Sequence, residues 1–293
     1  MTNENTKYHK PVLLKESLEN LNIKPYGHYI DCTLGEGGHS IEILKKLNEK
    51  GSLLSIDRDK DAIDFVKKNY KEELEKQKNW TIKKANFKNI NEILNKKVDG
   101  ILMDLGLSSR QLEASKRGFS YLEGSQDLDM RMDEELSAKA IDILNFYDEK
   151  TLAKIFKEFG EERNARRIAK LIKENITEIK TVQDLNNIIS RAVPAAFADK
   201  YKHPSRRVFQ ALRIAVNDEL GNLREGLKNS FEMLKKDGRI VVISFHSLED
   251  RIVKQFFKEK GIKSEIIVPT QDEINRNPRS RSAKMRVLIK KNK

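Results

Sequence analysis

The chain has 293 residues, 38% hydrophobic and 35% charged, which suits one large domain or two smaller ones and carries too many apolar runs for a disordered chain. One cysteine, Cys32, and five scattered histidines exclude an internal disulfide and a zinc cluster; with no run of ~18 apolar residues and no leader-like start at Met1, a soluble cytoplasmic protein is expected. Lysine and arginine number 57 against 45 acids, a formal charge of +12, which favours a polyanionic partner unless the whole proteome is lysine-rich.

In chain order, the first hundred residues alternate strand and helix patterns. Tyr29–Cys32 is a short apolar run, Ser40–Leu47 has helical spacing, and Ser52–Ile56 runs apolar into Asp57. Ala62–Tyr70 reads as helix, and Val98–Met103 is a run of strand formers ending at Asp104. Such alternation predicts an α/β fold, a parallel sheet with helices on both faces. From Ser109 to Ser205 the strand signals vanish. Helices are expected at Ala138–Phe146, Thr151–Phe159, Asn164–Ile176 and Val182–Val193, with Thr151 and Thr181 as N-caps. A long helix is expected from about Pro204 to Lys236, bent at Gly221. Strand Arg239–Ser244 and a helix near Leu248–Lys260 follow, then a last strand pair, Glu265–Val268 with Met285–Ile289. The expected division is 1–108 and 206–293 for the sheet domain and 109–205 for a helical insertion.

Two stretches carry only basic charge. One holds Lys200, Lys202, Arg206, Arg207 and Arg213; the other, Arg276 to Lys293, has eight Lys/Arg and no acid. They are candidate phosphate contacts, or else solvated surface.

The segment Tyr29-Ile-Asp-Cys-Thr-Leu-Gly-Glu-Gly-Gly-His39 is a strand running into a glycine-rich turn that opens a helix. Glycines at 35, 37 and 38 allow close backbone approach and positive φ. Asp57 ends the next strand 20 residues after Gly37, where an acid can accept both ribose hydroxyls of a nucleoside cofactor. The glycines are spaced G-x-G-G rather than the G-x-G-x-x-G of a nicotinamide site, and no Gly-Lys-Ser/Thr of a P-loop follows. Asp31, just before the turn, could accept from an ammonium group, which suits S-adenosylmethionine better than a pyrophosphate. The run Asp57-x-Asp59-x-Asp61 is no calcium loop, because Ala62 and Lys68 stand where Gly and Glu are needed. Cys32 reads as core. His39 reads as either a helix-start residue or a cofactor contact, and Phe87 as either core or a flank for adenine. Ligands of open parallel sheets sit beyond the strand carboxyl ends, where Asp104 and His246 also stand.

These motifs resemble the ribosomal RNA small subunit methyltransferase H family, which methylates a cytidine N4 in small-subunit ribosomal RNA. The matching segments are His9–Leu14, the glycine turn, Asp104–Ser109, Arg117–Ser120, Leu128–Asp133, Gly160–Arg163, Phe209–Glu219, Ile243–Arg251 and Asn277–Lys284. The resemblance implies a class I (Rossmann-like) methyltransferase sheet with an inserted helical domain. It implies S-adenosyl-L-methionine as cofactor, held by Gly37, Gly38, His39, Asp57, Phe87, Asp104 and Gln111. Asp104 and His246 are then the catalytic candidates, with no metal. The implied partner is small-subunit ribosomal RNA in the 30S subunit, at its decoding region, with no DNA and no membrane. Three places depart from the family pattern: Arg110 for the usual Pro, the longer Leu122–Asp127 segment, and Ser205-Arg-Arg after His203-Pro. Cytosine N4 is a poor nucleophile, so a carboxylate or carbonyl accepting its hydrogens would help. An aromatic clamp is missing after Asp104, and Phe119 or Tyr121 are candidates to supply one. A nicotinamide dehydrogenase and a non-catalytic RNA-binding assembly factor are the alternatives.

Overall fold

The computed structural model describes residues 11–193 and 203–291. His9, Lys200, Lys202 and Lys293 lie outside the described residues. Contacts divide the chain into two compact units: one of Met1–Gly106 with Leu220–Lys293, the other of Leu107–Glu219. Arg206–Glu219 therefore groups with the helical unit, not with the sheet as the expected division has it.

The first unit is built on six strands: β1 (His28–Asp31), β2 (Ser52–Asp57), β3 (Trp80–Lys84), β4 (Val98–Asp104), β5 (Leu234–Ser244) and β6 (Lys284–Ile289). Their spatial order is β3-β2-β1-β4-β5-β6. All neighbours are parallel except β5 and β6. The order reverses between β1 and β4, which makes their carboxyl ends the crevice where a doubly wound sheet binds ligand. Alternate residues of the central strands enter different cores. Ile101, Met103, Ile240 and Val242 pack with Leu223, Leu227 and Phe257, whereas Leu102, Val241 and Ile243 pack with Leu21, Ile43 and Val66. A strand buried on both faces needs apolar residues at every position, which is why these runs are unbroken. The edge strand β3 is different: Thr81, Lys83 and Lys84 are exposed.

Residues 265–268 do not form the expected strand. They contribute only an isolated bridge, Ile267 to Met285, and β6 pairs along its length with β5 instead.

The second unit has helices at Ala140–Phe146, Glu149–Gly160, Ala165–Glu174, Val182–Ala192 and Arg206–Asn217. Their apolar faces, including Leu152, Phe156, Ile168, Leu185, Ile189, Val208 and Leu212, form one core. Thr181 caps its helix in a capping box with Asp184. Asp148, not Thr151, caps the helix Glu149–Gly160.

The long helix expected from Pro204 to Lys236 is two helices, Arg206–Asn217 and Glu219–Met233, and strand β5 begins at Leu234. The break falls at Asp218, with φ 46°, rather than at Gly221. Buried Asn217 holds it: its Oδ1 accepts from Met132 N at 2.8 Å and its Nδ2 donates to Met130 O at 2.7 Å. Arg213 donates twice to Glu219 across the break, at 2.7 and 2.8 Å.

Candidate active site

The strand ends of the first unit are tied together at the reversal point. Cys32 N donates to Leu102 O, and Leu105 N to Ile243 O, each at 2.9 Å. Thr33 Oγ1 accepts from Asp104 N at 2.7 Å. The turn after β1 bends through Gly35 and Gly37, and Gly37 has φ 84°. A Cβ there would be strained and would also sit 3.2 Å from Val66. A Cβ on Gly38 would lie 2.4 Å from Pro11 Cγ. These glycines are therefore required by the packing of the turn itself.

Asp31 is turned into the fold by its hydrogen bonds. It is fully buried; Oδ1 accepts from Thr33 N at 3.1 Å and Oδ2 from Ser40 Oγ at 2.6 Å. Ser40 lies 2.7 Å from Ser55 Oγ, which accepts from Trp80 Nε1 at 2.9 Å. The acid thus anchors a buried polar chain beneath the turn, and burial raises its pKa.

Asp57 closes the turn from the next strand. Its Oδ2 accepts from Gly35 N and its Oδ1 from Asp59 N, both at 2.9 Å. The residue as a whole stays partly exposed. Burial raises its pKa to about 6 against those two hydrogen bonds, and the charges of Asp59 and Asp31 add to the rise.

Asp104 ends β4 with 23% of its side chain exposed. Its Oδ1 is buried without a hydrogen-bond partner among the described residues, and its Oδ2 lies 3.6 Å from His39 Nδ1. Burial, then the charges of Asp31 and Glu249, push its pKa well up. His39 is buried, and its Nε2 donates to Val12 O at 3.2 Å, which leaves Nδ1 as the acceptor turned toward Asp104.

His246 caps the helix Ser247–Glu259: its Nδ1 accepts from Glu249 N at 3.4 Å, and its Nε2 lies 3.2 Å from Glu249 Oε1. Glu249, 97% buried, accepts from Phe245 N at 2.8 Å and His246 N at 3.2 Å. The sequence reading missed Glu249, although the box spacing His246-Ser-Leu-Glu249 signals it. It missed Thr33 and Ser40 as well, which carry no such signal. Phe87 sits in a 3-10 turn with its ring against Gly226, half-buried.

Gly37, Gly38, His39, Asp57, Phe87, Asp104 and His246 thus all belong to the sheet unit, at or just beyond the carboxyl ends of β1 to β5. Gln111 belongs to the other unit, where its Oε1 accepts from Ser108 N at 3.0 Å in a capping box. Of the basic stretches, Arg213 is committed to Glu219. Arg286 is buried and donates to Asp250 at 2.6 Å, and Lys290 donates to the carbonyls of Phe231 and Leu234. Arg206, Arg207, Arg276, Arg279 and Arg281 are exposed.

The arrangement is a doubly wound sheet with a glycine turn, an acid ending β2 and a second acid ending β4. Comparison of the sequence with family models matches residues 6–266 to the MraW methylase family. The chain belongs to that family. Proteins named ribosomal RNA small subunit methyltransferase H are similar over nearly the whole length. The one from Clostridium botulinum (strain Loch Maree / Type A3) is 46% identical, covering 96% of this chain and 98% of its own. That from Fusobacterium nucleatum is 46% identical, covering 96% of both, and that from Clostridioides difficile 43%, covering 97% and 99%. Among the described residues, no helix is long and apolar enough to cross a membrane.

Proposed function

We propose that this chain transfers a methyl group from S-adenosylmethionine to the N4 amine of a cytidine in the small-subunit ribosomal RNA, within the decoding region of the 30S subunit. The family and the relatives' names support a ribosomal RNA methyltransferase. The observation that carries the choice of site is the Asp104 carboxyl, part-exposed at the reversal point with one oxygen unsatisfied.

The residues present fit the cofactor. Asp57, a partly exposed residue, offers a carboxyl for two ribose hydroxyls, Gly37 and Gly38 bring backbone close, and Phe87, also partly exposed, offers a ring for adenine. Burial raises the pKa of both Asp57 and Asp104, so either carboxylate gains from a ligand that donates hydrogen bonds or positive charge to it. When bound, the cofactor supplies a methyl already activated on a sulfonium.

The protein's work is then to hold and deprotonate the acceptor. The N4 lone pair is conjugated with the ring, so accepting its hydrogens frees it. The exposed part of the Asp104 carboxyl accepts one N4 hydrogen and takes the proton that the methylated amine must shed. His39 Nδ1 stands 3.6 Å from Oδ2, with its ring oriented by Val12 O. A carboxyl with a raised pKa is matched to this task. His246 holds the start of its helix through Glu249 rather than reaching the amine. The base enters unpaired or flipped.

Incubating purified protein with labelled S-adenosylmethionine and small ribosomal subunits from cells lacking it tests the reading. Label is expected in the small-subunit RNA, more on subunits than on naked transcript. No label in either substrate sinks it.

A further inference from the structure

Within the helical unit, two rings from distant parts of the chain stack on each other. Tyr121 and His203 have centroids 4.7 Å apart and planes 19° apart, and Phe209 meets Tyr121 edge-on at 6.0 Å. Asn186 Nδ2 donates to Tyr121 O at 2.8 Å, which fixes the tyrosine backbone. His203 Nδ1 accepts from Ser205 N at 3.2 Å, so the proton sits on Nε2. Burial lowers the His203 pKa, so the imidazole is neutral at neutral pH.

Both residues are partly exposed, whereas Phe119, the other aromatic candidate nearby in sequence, is 5% exposed and packed in the core. Two polar atoms of the residues that hold the pair are unsatisfied. Ser205 Oγ and Asn186 Oδ1 are buried with no hydrogen-bond partner among the described residues. Arg206 and Arg207 follow at once, both exposed. A partly exposed pair of stacked aromatic residues with exposed guanidinium groups next to it in the chain is the chemistry that receives a nucleobase and its phosphates.

We infer that Tyr121 and His203 form a stacking platform for an unpaired nucleobase of the RNA substrate. This rests on the RNA-methyltransferase reading above. The platform reads a π face rather than a base edge, so it tolerates any base. It adds affinity without adding a charge contact.

The test uses the full chain and a single-stranded oligoribonucleotide of about ten nucleotides, a usual single-strand site size, carrying 2-aminopurine at one position in turn. In the native protein the fluorescence of at least one position is expected to be quenched on binding. Tyr121→Leu should abolish that quenching and weaken binding about 5- to 100-fold, the range for loss of one stacked base. Tyr121→Phe should retain both. The slope of log affinity against log salt should be the same in all three, and S-adenosylmethionine affinity unchanged. His203→Leu provides a second variant should Tyr121→Leu not fold, with the same expected loss of quenching. RNA binding with no quenched position, or with quenching and affinity unaltered in Tyr121→Leu, overturns the platform and leaves the RNA reading standing. Binding of neither oligoribonucleotide nor ribosomal subunits overturns both.

Discussion

Asp57 has its pKa raised to about 6 from an ordinary 3.8 because burial opposes its charge. The sign follows from linkage. Its contribution to stability is complete below about pH 4, where folded and unfolded chains both hold the proton, and is lost as pH rises through about 6. On the proposed ribose contact, cofactor binding runs the other way, because two ribose hydroxyls need the ionised carboxyl. S-adenosylmethionine affinity is therefore expected to be about tenfold weaker at pH 5 than at pH 7, with protons released on binding near pH 6. Titration calorimetry in buffers of different ionisation enthalpy measures both. Asp57→Ala should cost roughly 2–4 kcal/mol and remove the pH dependence. A flat profile in the native protein contradicts the ribose contact. Asp104→Asn is the companion test. The amide keeps the shape but cannot take a proton, so single-turnover methyl transfer should fall ~100-fold or more while RNA affinity stays. A parallel loss of RNA binding would make Asp104 structural.

Among the elements, the helix Glu219–Met233 carries Gly226 in its interior. Alanine there would ordinarily gain about 1 kcal/mol of helix propensity. Its Cβ would stand 2.4 Å from Phe87 Cδ2 and 2.7 Å from Cε2, however, so the ring must move. Gly226→Ala is expected to lose about 1–2 kcal/mol in urea unfolding and to weaken the cofactor with it. Gly226→Ala combined with Phe87→Leu should recover the stability but not the affinity. A more stable single variant would show that the ring swings aside freely. The same helix marks the limit of what the sequence tells. Apolar spacing runs through residues 209–234 without a phase change, so one helix is the natural reading. The break at Asp218 depends on Asn217 bonding to Met130 and Met132, 87 and 85 residues away, which no local pattern reveals. Likewise β5 begins at Leu234 although Lys235, Lys236 and Asp237 follow, because polar residues can occupy its less buried beginning. The central strands were legible because they are buried on both faces and so apolar throughout.

Across the whole chain, the positions of candidate site residues were more legible than their partners. Asp57 and Asp104 end strands, and strand ends can be counted from apolar runs. The bonds that commit Asp31 to Ser40, or Arg286 to Asp250, are contacts between elements and leave no periodicity. The net charge of +12 consequently overstates the surface available to RNA, since Arg213, Arg286 and Lys290 are engaged within the fold. Replacing exposed Arg279 and Arg281 together by alanine should flatten the plot of log RNA affinity against log salt by ~1–2 units. Arg286→Ala should leave that slope alone and destabilise the fold by about 3–5 kcal/mol, because Asp250 loses its buried partner. The reverse pattern would place Arg286 on the RNA.

The central claim is the atom that receives the methyl group, and nucleoside mass spectrometry tests it most directly. Small subunits from cells lacking this protein, digested before and after incubation with it and S-adenosylmethionine, should gain N4-methylcytidine. With Asp104→Asn they should gain almost none. A gain of 5-methylcytidine instead, or native subunits that already hold a full complement of N4-methylcytidine without the protein, would contradict the account.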